Sequence, residues 1–307
     1  MKKVLVTGAC GFLGRALVAE LFKQGVAVIA VDRDDSVFPA ELKDNSLLKL
    51  FVCDLSCEVE KLPSMIPDRD IDCCIHLAWA GSTGDGRADY KLQLKNVGLA
   101  LDMVAVCHEM NIKRFVGAGT LAQKDVLNYH PIDGAKPNPV SHYGTAKIAM
   151  QFMTKTECAK YGIEHVWCFF SNTYGVGNTT GNFVNFASKT MLAGKRAAFT
   201  AGEQMYDFVY VTDTVRAICA AADRGRPFTS YYLGSTKQRK LKEYVKIIRD
   251  VIDPKMELYF GEVPFKGIPL PDEEFDTSKL VRDTDYRPEV DFERGIVRTV
   301  EWLRTQI

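Results

Sequence analysis

The first half of the chain alternates short apolar runs with stretches in which apolar residues recur every three or four positions. The runs predict buried strands, and the recurring pattern predicts helices that bury one face. Because strands that are apolar along their whole length are covered on both faces, the alternation predicts a doubly wound α/β fold with a parallel sheet. The predicted strands are Lys3–Thr7, Val26–Val31, Leu48–Cys53, Asp72–Ala78 and Arg114–Gly117, and the main helices are Arg15–Gln24, Asp89–Glu109 and Tyr143–Lys160.

The second half of the chain loses this alternation after about residue 172. Asn172–Gly181 is rich in Asn, Thr and Gly, and helix-like segments then mix with loops. Phe208–Val211 and Thr212–Ala222 predict one more strand and helix that return to the sheet, and Phe292–Leu303 predicts a closing amphipathic helix. We therefore expect a sheet domain over residues 1–172, to which 207–225 return, and a smaller substrate-binding lobe formed mainly by 173–307.

The charge balance limits the classes of partner. Lys plus Arg and Asp plus Glu each number 39 among 307 residues, so the formal net charge is zero. A neutral chain lacks the broad basic surface that nucleic acids or anionic membranes require. No apolar run approaches the roughly 20 residues of a membrane-spanning helix. We therefore expect a soluble protein whose partner is neither nucleic acid nor membrane.

The nine cysteines suggest free thiols rather than disulfides. Their number is odd, no CxxC pair is present, and several lie inside apolar segments, where buried thiols are common. No Cys or His group has zinc-ligand spacing, so we expect no metal site. Free thiols are typical of a reducing compartment, and we expect the protein to be cytoplasmic.

A glycine-rich turn, TGACGFLG, follows the first strand and opens the first helix. Glycines at Gly8, Gly11 and Gly14 let a backbone approach a pyrophosphate, whose charge then lies at the helix N-terminus. Asp32 ends the second strand, where a carboxylate accepts hydrogen bonds from the ribose hydroxyls of NAD and repels a 2′-phosphate. Arg33 beside it leaves NADP open. The pattern predicts a Rossmann dinucleotide site with NAD as the expected cofactor.

Tyr143 and Lys147 are four residues apart at the start of a predicted helix, so their side chains share one face. A phenol with a pKa near 10 is a poor base at neutral pH. A nearby ammonium, together with the positive charge of an oxidised nicotinamide, favours the phenolate and lowers that pKa. The pair is therefore a candidate for general acid/base chemistry beside the dinucleotide.

Together these motifs resemble the extended short-chain dehydrogenase/reductase family, in particular its NAD-dependent sugar-nucleotide epimerases and dehydratases. The resemblance covers nearly the whole chain. It rests on TGxxGxxG at Thr7–Gly14 and YxxxK at Tyr143–Lys147, with further agreement at Asp54-Leu55, His76-Leu77-Ala78, Asn172-Thr173-Tyr174-Gly175, Asp207-Phe208-Val209-Tyr210-Val211 and Trp302.

The resemblance implies a role for each matching residue. Tyr143 would be the general acid/base at a sugar hydroxyl, Lys147 would hold the nicotinamide ribose, and Thr120 would orient the same hydroxyl. It also implies a homodimer formed through the helices Asp89–Glu109 and Tyr143–Lys160. The implied cofactor site comprises Gly8, Gly11, Phe12, Leu13, Gly14, Asp32, Arg33, Asp54, Leu55, Leu77, Ala78, Trp79 and Asn96, together with Tyr143 and Lys147.

Two departures from the family pattern bear on the substrate. Leu121 and Ala122 follow Thr120 where dehydratases carry an acidic pair, so no general acid for 4,6-dehydration is in place. Tyr206 stands where an arginine commonly grips the substrate diphosphate. Because buried phosphates need cationic or N–H partners, we expect a replacement elsewhere. The candidates are Arg282 or the pair Lys195 and Arg196, acting with Asn172 and backbone N–H groups near Asn182.

Three functions fit these residues. The first is a sugar-nucleotide epimerase with tightly held NAD, and the second is an NAD(P)H-dependent reductase of a keto-sugar nucleotide. The third is a dinucleotide sensor without turnover, against which the intact Tyr143, Lys147 and Thr120 argue. Asp32 favours NAD, and hence the recycling chemistry of the epimerase. A simpler sugar or alcohol without a diphosphate also remains open as substrate.

Overall fold

The structure is a computed structural model that describes residues 1–306. Its strands are β1 Lys3–Thr7, β2 Ala27–Asp32, β3 Leu48–Val52, β4 Cys73–His76, β5 Arg114–Thr120, β6 Glu164–Phe170, β7 Asn172–Tyr174, β8 Ala198–Phe199, β9 Met205–Tyr206, β10 Phe208–Tyr210, β11 Thr229–Leu233, β12 Arg239–Lys240 and β13 Tyr259–Phe260. Its α-helices are α1 Phe12–Lys23, α2 Ala40–Lys43, α3 Leu55–Glu58, α4 Leu62–Met65, α5 Tyr90–Glu109, α6 Leu121–Tyr129, α7 Ser141–Tyr161, α8 Phe183–Leu192, α9 Val211–Arg224, α10 Leu241–Ile252, α11 Ser278–Thr284 and α12 Phe292–Arg304. Short 3₁₀ helices lie at Val59–Lys61, Gly84–Ala88 and Asp272–Phe275.

Seven strands form one sheet in the order β11-β6-β5-β4-β1-β2-β3, and every pairing is parallel. The strand order reverses at β1, which pairs with β2 on one side and with β4 on the other. Ligands of open α/β sheets bind at such a switch point, outside the carboxyl ends of the strands. The predicted doubly wound fold is confirmed, and it places the glycine-rich turn after β1 at this point.

Both faces of the sheet are buried, as the apolar strands predict. Side chains of successive strand residues point to opposite faces. Val4 and Val6 accordingly pack in one hydrophobic cluster, with side chains of α1 and α9, while Leu5 packs in another, with side chains of α5 and α7. The helices on the two faces exclude water from the sheet and fix the ends of the strands.

The smaller lobe has a core of its own. Aromatic side chains dominate it: Tyr174 and Phe208 meet edge to face with ring centroids 6.4 Å apart, and Phe292 lies 5.0 Å from Tyr174. Residues of α8, α10 and α12 complete this cluster. Among the residues that the structure describes, no helix is long and apolar enough to cross a membrane.

One strand prediction is wrong. Phe208–Tyr210 does not return to the large sheet but pairs with Asn172–Tyr174 in a separate two-stranded sheet. The seventh strand of the large sheet is Thr229–Leu233. Its first two residues are polar, so the sequence shows no continuous apolar run that would predict a buried strand there. The helix that follows β10 does lie against the large sheet, because α9 shares the cluster of α1.

Candidate active site

A cavity of about 1160 Å³ opens at the carboxyl ends of the central strands and extends toward the smaller lobe. It is large enough for more than one small-molecule ligand, since typical ligand pockets measure roughly 300–1,000 Å³. Of the residues predicted from the sequence, those that line it are Gly8, Gly11, Phe12, Leu13, Gly14, Asp32, Arg33, Asp54, Leu55, Leu77, Ala78, Trp79, Asn96, Thr120, Tyr143, Asn172 and Asn182. The fold therefore brings most of the predicted site together.

The glycine-rich turn depends on residues without a side chain. Gly8 has φ +69°, and a Cβ there would lie 2.7 Å from the backbone nitrogen of Ala78. A Cβ on Gly14 would overlap the carbonyl oxygen of Gly8. No side chain caps α1 at Gly11, so the first N–H groups of this helix are left for a ligand. Such an N-terminus binds phosphate groups.

Asp32 is held in place at the end of β2. Its Oδ2 accepts a hydrogen bond from the backbone N–H of Cys10 at 2.8 Å, and its Oδ1 accepts one from the N–H of Arg33 at 2.8 Å. This end of the cavity is acidic: Asp32, Asp34, Asp54, Glu60 and Asp102 line it together with Arg33 and Lys95. Burial and the negative charge of Glu60 raise the pKa of Asp102.

Asn96 and Trp79 shape the wall that follows β4. The side-chain amide of Asn96 bonds both backbone groups of Ala80, at 3.0 and 2.9 Å, so its polar atoms hold the loop. The indole N–H of Trp79 donates to Gln93 at 2.9 Å. The buried side-chain amides of Gln93 and Asn96 on α5 therefore fix the segment after β4, which lies beside Tyr143.

Thr120 lies at the end of β5 and caps α6. Its hydroxyl accepts a hydrogen bond from the N–H of Ala122 at 3.3 Å, and the side chain of Gln123 accepts one from the N–H of Thr120 at 3.0 Å, which completes a capping box. Gln123 also donates to Gln151 on α7 at 2.9 Å. The position of Thr120 is thereby tied to the helix that carries Tyr143.

Tyr143 is buried at the first turn of α7, where its neighbour Gly144 allows close packing. A Cβ on Gly144 would overlap the carbonyl oxygen of Ala122. Burial raises the pKa of Tyr143, while the guanidinium of Arg87 and the Thr120 side chain act to lower it. The carbon at the centre of that guanidinium lies 4.7 Å from the centroid of the Tyr143 ring.

Lys147 is buried behind this surface rather than lining the cavity. Its ammonium donates to the carbonyl oxygen of Ala118 at 2.7 Å and lies 3.7 Å from the centroid of the Trp79 ring. Burial lowers its pKa to about 7. Burial holds the pKa of Tyr143 above its usual value, and Arg87 is the cation that acts against this rise in the structure.

The smaller lobe contributes amides and aromatic rings. Asn172 lies on β7 and donates to the carbonyl oxygen of Asp207 at 3.2 Å. Asn182 caps α8 by accepting from the N–H of Asn185 at 2.9 Å, while its own Nδ2 is buried with no hydrogen-bond partner in the described chain. Tyr206, half-buried, stacks with Phe208 at 5.6 Å.

The three cations expected to replace the missing arginine lie elsewhere, so this expectation is corrected. Arg196 pairs with Glu262 and covers the Tyr259 ring, with 4.1 Å from guanidinium to centroid. Arg282 is exposed and pairs with its neighbour Asp283 at 2.9 Å. Lys195 is exposed as well, and none of the three lines the cavity. All three side chains are exposed to solvent.

Comparison with known proteins agrees with this geometry. The model of the NAD dependent epimerase/dehydratase family matches residues 4–234. The chain belongs to this family. A putative UDP-glucose 4-epimerase of Methanocaldococcus jannaschii is 26% identical to it over 98% of this chain and 98% of the relative. A dTDP-glucose 4,6-dehydratase of Escherichia coli is 24% identical over 98% of this chain and 93% of the relative.

Solved structures of epimerases share the fold of this family member. A UDP-glucose 4-epimerase of Thermotoga maritima, solved with UDP-glucose, superposes with a TM-score of 0.81, 24% identity and 99% coverage of both chains. A UDP-glucuronic acid 4-epimerase of Bacillus cereus, solved with NAD, superposes with a TM-score of 0.80, 21% identity and 99% coverage of both chains. The prediction of an extended short-chain dehydrogenase/reductase enzyme is confirmed, and the expected cofactor agrees with this NAD dependent family.

Sequence reasoning missed Arg87, whose guanidinium lies over the tyrosine of this epimerase/dehydratase site, and Asp125, whose pKa the charge of Arg87 acts to lower. Arg87 lies on the 3₁₀ helix Gly84–Ala88 and Asp125 lies on α6. Neither residue stands in a motif with a fixed spacing. A basic residue after the glycine-rich segment Gly81–Gly86 is the one signal that could have indicated Arg87.

Proposed function

We propose that this enzyme is an NAD-dependent sugar-nucleotide epimerase that inverts a sugar carbon through transient oxidation. The observation that carries the proposal is the placement of Thr120 and Tyr143 on one cavity wall, with Lys147 buried behind Trp79. The capping box at Thr120 and the hydrogen bond from Gln123 to α7 fix the hydroxyl groups of Thr120 and Tyr143 relative to each other. A preorganised pair of this kind suits proton transfer at a sugar hydroxyl.

The residues at the opposite end of the cavity fit NAD. The turn Gly8–Gly14 offers N–H groups to a pyrophosphate, and a Cβ at Gly8 would collide with Ala78 and disturb it. Asp32 would accept hydrogen bonds from the adenosine ribose. The surrounding carboxylates, Asp34 and Asp54 among them, would repel the additional phosphate of NADP. NAD is therefore the cofactor that we propose for this chain.

Each polar side chain near Tyr143 has a defined task in the proposed mechanism. Bound NAD supplies reversible acceptance and return of a hydride at the sugar carbon. Tyr143 takes the proton of the sugar hydroxyl at its phenol oxygen and later gives it back. Thr120 would orient that hydroxyl, and Lys147 would hold the nicotinamide ribose. A positive charge near the phenol favours the phenolate, and Arg87 already provides one in the absence of ligand.

Amides and helix N–H groups replace the missing arginine at the substrate phosphates. The unpartnered Nδ2 of Asn182 is buried at the cavity wall, at the N-terminus of the ten-residue helix α8. A helix N-terminus favours negative charge, and a buried amide without a partner gains a hydrogen bond when phosphate binds. Asn172 lines the same wall. We propose that these two residues contact the diphosphate, without Arg282, Lys195 or Arg196.

We also propose a homodimer formed through α5 and α7. Leu94 on α5 is 61% exposed and Phe152 on α7 is 63% exposed, although both helices bury other residues against the sheet. Exposed apolar side chains on two adjacent helices are suited to a symmetric contact. Tyr90 and Met153 extend the exposed apolar surface of the same helices.

The test is epimerisation without added cofactor. The purified enzyme is incubated with UDP-, dTDP-, GDP- or CDP-hexoses, and the C4 epimers are followed by NMR. An epimerase interconverts the two isomers of one of these compounds and releases NAD when denatured. A reductase would instead require added NADH or NADPH and consume it in proportion to product. Turnover of free sugars alone would contradict the sugar-nucleotide assignment.

A further inference from the structure

The loop between β7 and α8 forms part of the cavity wall. Asn178, Thr180 and Asn182 line the cavity there. The Oδ1 atom of the buried Asn178 accepts hydrogen bonds from the backbone N–H of Thr180 at 3.0 Å and from its hydroxyl at 2.7 Å. The N–H of Asn178 donates to the carbonyl oxygen of Gly175 at 3.2 Å. These bonds fix a turn within the loop, but they do not attach the loop to α8.

Asn185, on the first turn of α8, attaches the loop to the helix. It is 1% exposed and does not line the cavity. Its Nδ2 donates to the carbonyl oxygens of Asn178 at 2.6 Å and of Thr180 at 2.8 Å. Its backbone N–H donates to Oδ1 of Asn182 at 2.9 Å. Asn185 therefore contacts all three of these cavity-lining residues.

These hydrogen bonds determine which polar atoms an anion meets at this wall. A carbonyl oxygen carries partial negative charge and repels a phosphate, but the carbonyl oxygens of Asn178 and Thr180 are held against the Asn185 amide. The amide of Asn182 has a single orientation because α8 engages its Oδ1. Its buried Nδ2 has no hydrogen-bond partner in the described chain. The wall therefore offers an anion a donor in place of two acceptors.

Packing does not explain an amide at position 185. Val184 and Ala187, on the same helix, belong to the apolar core of the smaller lobe. The Oδ1 of Asn185 is buried without a hydrogen-bond partner within residues 1–306. A buried acceptor of this kind costs free energy, which an apolar side chain would avoid. What the amide supplies in return is its pair of hydrogen bonds to the loop.

We propose that Asn185 is a positioning residue for the diphosphate of the substrate. It holds the loop against α8 so that the Nδ2 of Asn182, rather than backbone carbonyl oxygens, meets the phosphate oxygens. This inference rests on the proposed function, which places the diphosphate at Asn172 and Asn182. Because Asn185 does not line the cavity, it acts through the residues that it holds.

The direct test compares a nucleoside diphosphate with its nucleoside, each titrated into the NAD-loaded enzyme and measured by calorimetry. UDP and uridine are measured first, and the dTDP, GDP and CDP pairs follow in the same way. Because only the diphosphate carries phosphates, Asn185→Leu should weaken the binding of UDP about tenfold or more and leave that of uridine unchanged. The KM for the sugar nucleotide should rise by a similar factor without a change in kcat, as expected when binding alone is lost.

The matched control is Ser188→Ala on the same helix. Ser188 is fully buried, and its Oγ also has no hydrogen-bond partner in the part of the chain that the structure describes. Removal of this hydroxyl should leave the affinities for UDP and uridine unchanged. A loss of UDP affinity in Ser188→Ala equal to that in Asn185→Leu would overturn the proposal, because any change inside α8 would then have the same effect.

A double-mutant cycle distinguishes positioning from a general loosening of the lobe. Asn182→Ser keeps a side chain that can cap α8 but lacks the amide donor. If Asn185 acts through Asn182, Asn185→Leu should weaken UDP binding much less in the Asn182→Ser enzyme than in wild type. Equal losses in the two backgrounds would contradict this coupling.

A second variant reaches the same loop without a substitution on α8. Asn178→Ala removes the oxygen that accepts both hydrogen bonds from Thr180, so it should also weaken the binding of UDP more than that of uridine. NAD titration shows for each variant whether the sheet domain is folded. If Asn185→Leu does not fold, Asn178→Ala takes its place in the comparison.

The outcomes separate the two proposals. If the folded variants of Asn185 and Asn178 keep the wild-type affinity for UDP, or lose UDP and uridine equally, the positioning role is wrong while the epimerase proposal stands. If wild type binds no nucleoside diphosphate or sugar nucleotide in the panel, the proposed function fails and this inference fails with it.

Discussion

The ammonium of Lys147 lies 3.7 Å from the centroid of the Trp79 ring and has no carboxylate partner in the described chain. Its hydrogen bond goes to the carbonyl oxygen of Ala118 at 2.7 Å. Burial without a counter-charge lowers the pKa of Lys147 from 10.5 to about 7. The buried surroundings of Lys147 therefore disfavour its charged form.

A stability measurement follows from this pKa. Between about pH 7 and pH 10.5 the unfolded chain binds a proton at Lys147 that the folded chain releases. The contribution of Lys147 to the free energy of unfolding therefore rises with pH in this range. We expect cofactor-free Lys147→Met to melt at a higher temperature than wild type at pH 7.5, with a difference that shrinks toward pH 10.5. The same variant should bind NAD more weakly and turn over more slowly.

Melting curves of the cofactor-free proteins at four pH values provide this check. Lys155→Met, two turns further along α7 at a more accessible position, is the control. A Lys147→Met protein that melts below wild type at pH 7.5 would contradict the assignment.

The glycine-rich turn allows a matched pair of substitutions. Gly8 and Gly25 have φ values of +69° and +70°, but a Cβ at Gly8 would collide with Ala78, whereas nothing lies within 4 Å of one at Gly25. Gly25→Ala should cost about 1–2 kcal/mol of stability from the left-handed backbone alone. Gly8→Ala should cost more and abolish NAD binding. Denaturant unfolding measures the loss of stability, and titration measures the affinity for NAD. If the turn does not bind NAD, the two variants should lose equal amounts of stability and of NAD affinity.

Cofactor preference should depend on Asp32. Asp32→Asn keeps a side-chain oxygen that can accept a hydrogen bond from a backbone N–H, but it removes the negative charge. The preference for binding NADH over NADPH should therefore fall about tenfold, which corresponds to about 1.4 kcal/mol. Fluorescence titration of both reduced cofactors measures the ratio, with Asp44→Asn as a control outside the cavity. Tighter binding of NADPH than of NADH by wild type would refute the assignment of NAD.

Assembly should depend on the exposed apolar side chains of α5 and α7. The double variant Leu94→Glu/Phe152→Glu should be monomeric at micromolar concentration, because charges at a buried contact are not solvated. Phe186→Glu, on a similarly exposed position of α8, should leave the dimer intact. If light scattering finds that the wild-type protein is a monomer, the proposed dimer interface is contradicted.

The sequence predicted features that depend on local constraints. Gly8 and Gly14 are required by backbone contacts that allow no Cβ, and Asp32 follows directly from the end of a buried strand. Tyr143 and Lys147 share a helix, so their spacing alone brings them together. Such residues are separated by few positions along the chain or belong to one strand–turn–helix unit.

Features that depend on distant segments could not be predicted in this way. The sequence did not show that α11 places Arg282 against Asp283 rather than in the cavity. Arg87 reaches Tyr143 across 56 positions of sequence, through a 3₁₀ helix whose glycines show no periodicity. The strand Thr229–Leu233 joins β6 from a region with no strand–helix alternation.

The most direct test of the account is the turnover of Tyr143→Phe with a sugar nucleotide that wild type epimerises. The substitution removes one hydroxyl from a buried ring, so folding and the binding of NAD and UDP should be retained. Because a general acid/base contributes roughly 10²- to 10⁴-fold to a rate, kcat should fall by a factor in this range. Thr120→Val should lose less, since it orients the hydroxyl without taking the proton. A Tyr143→Phe enzyme with wild-type kcat would contradict the mechanism.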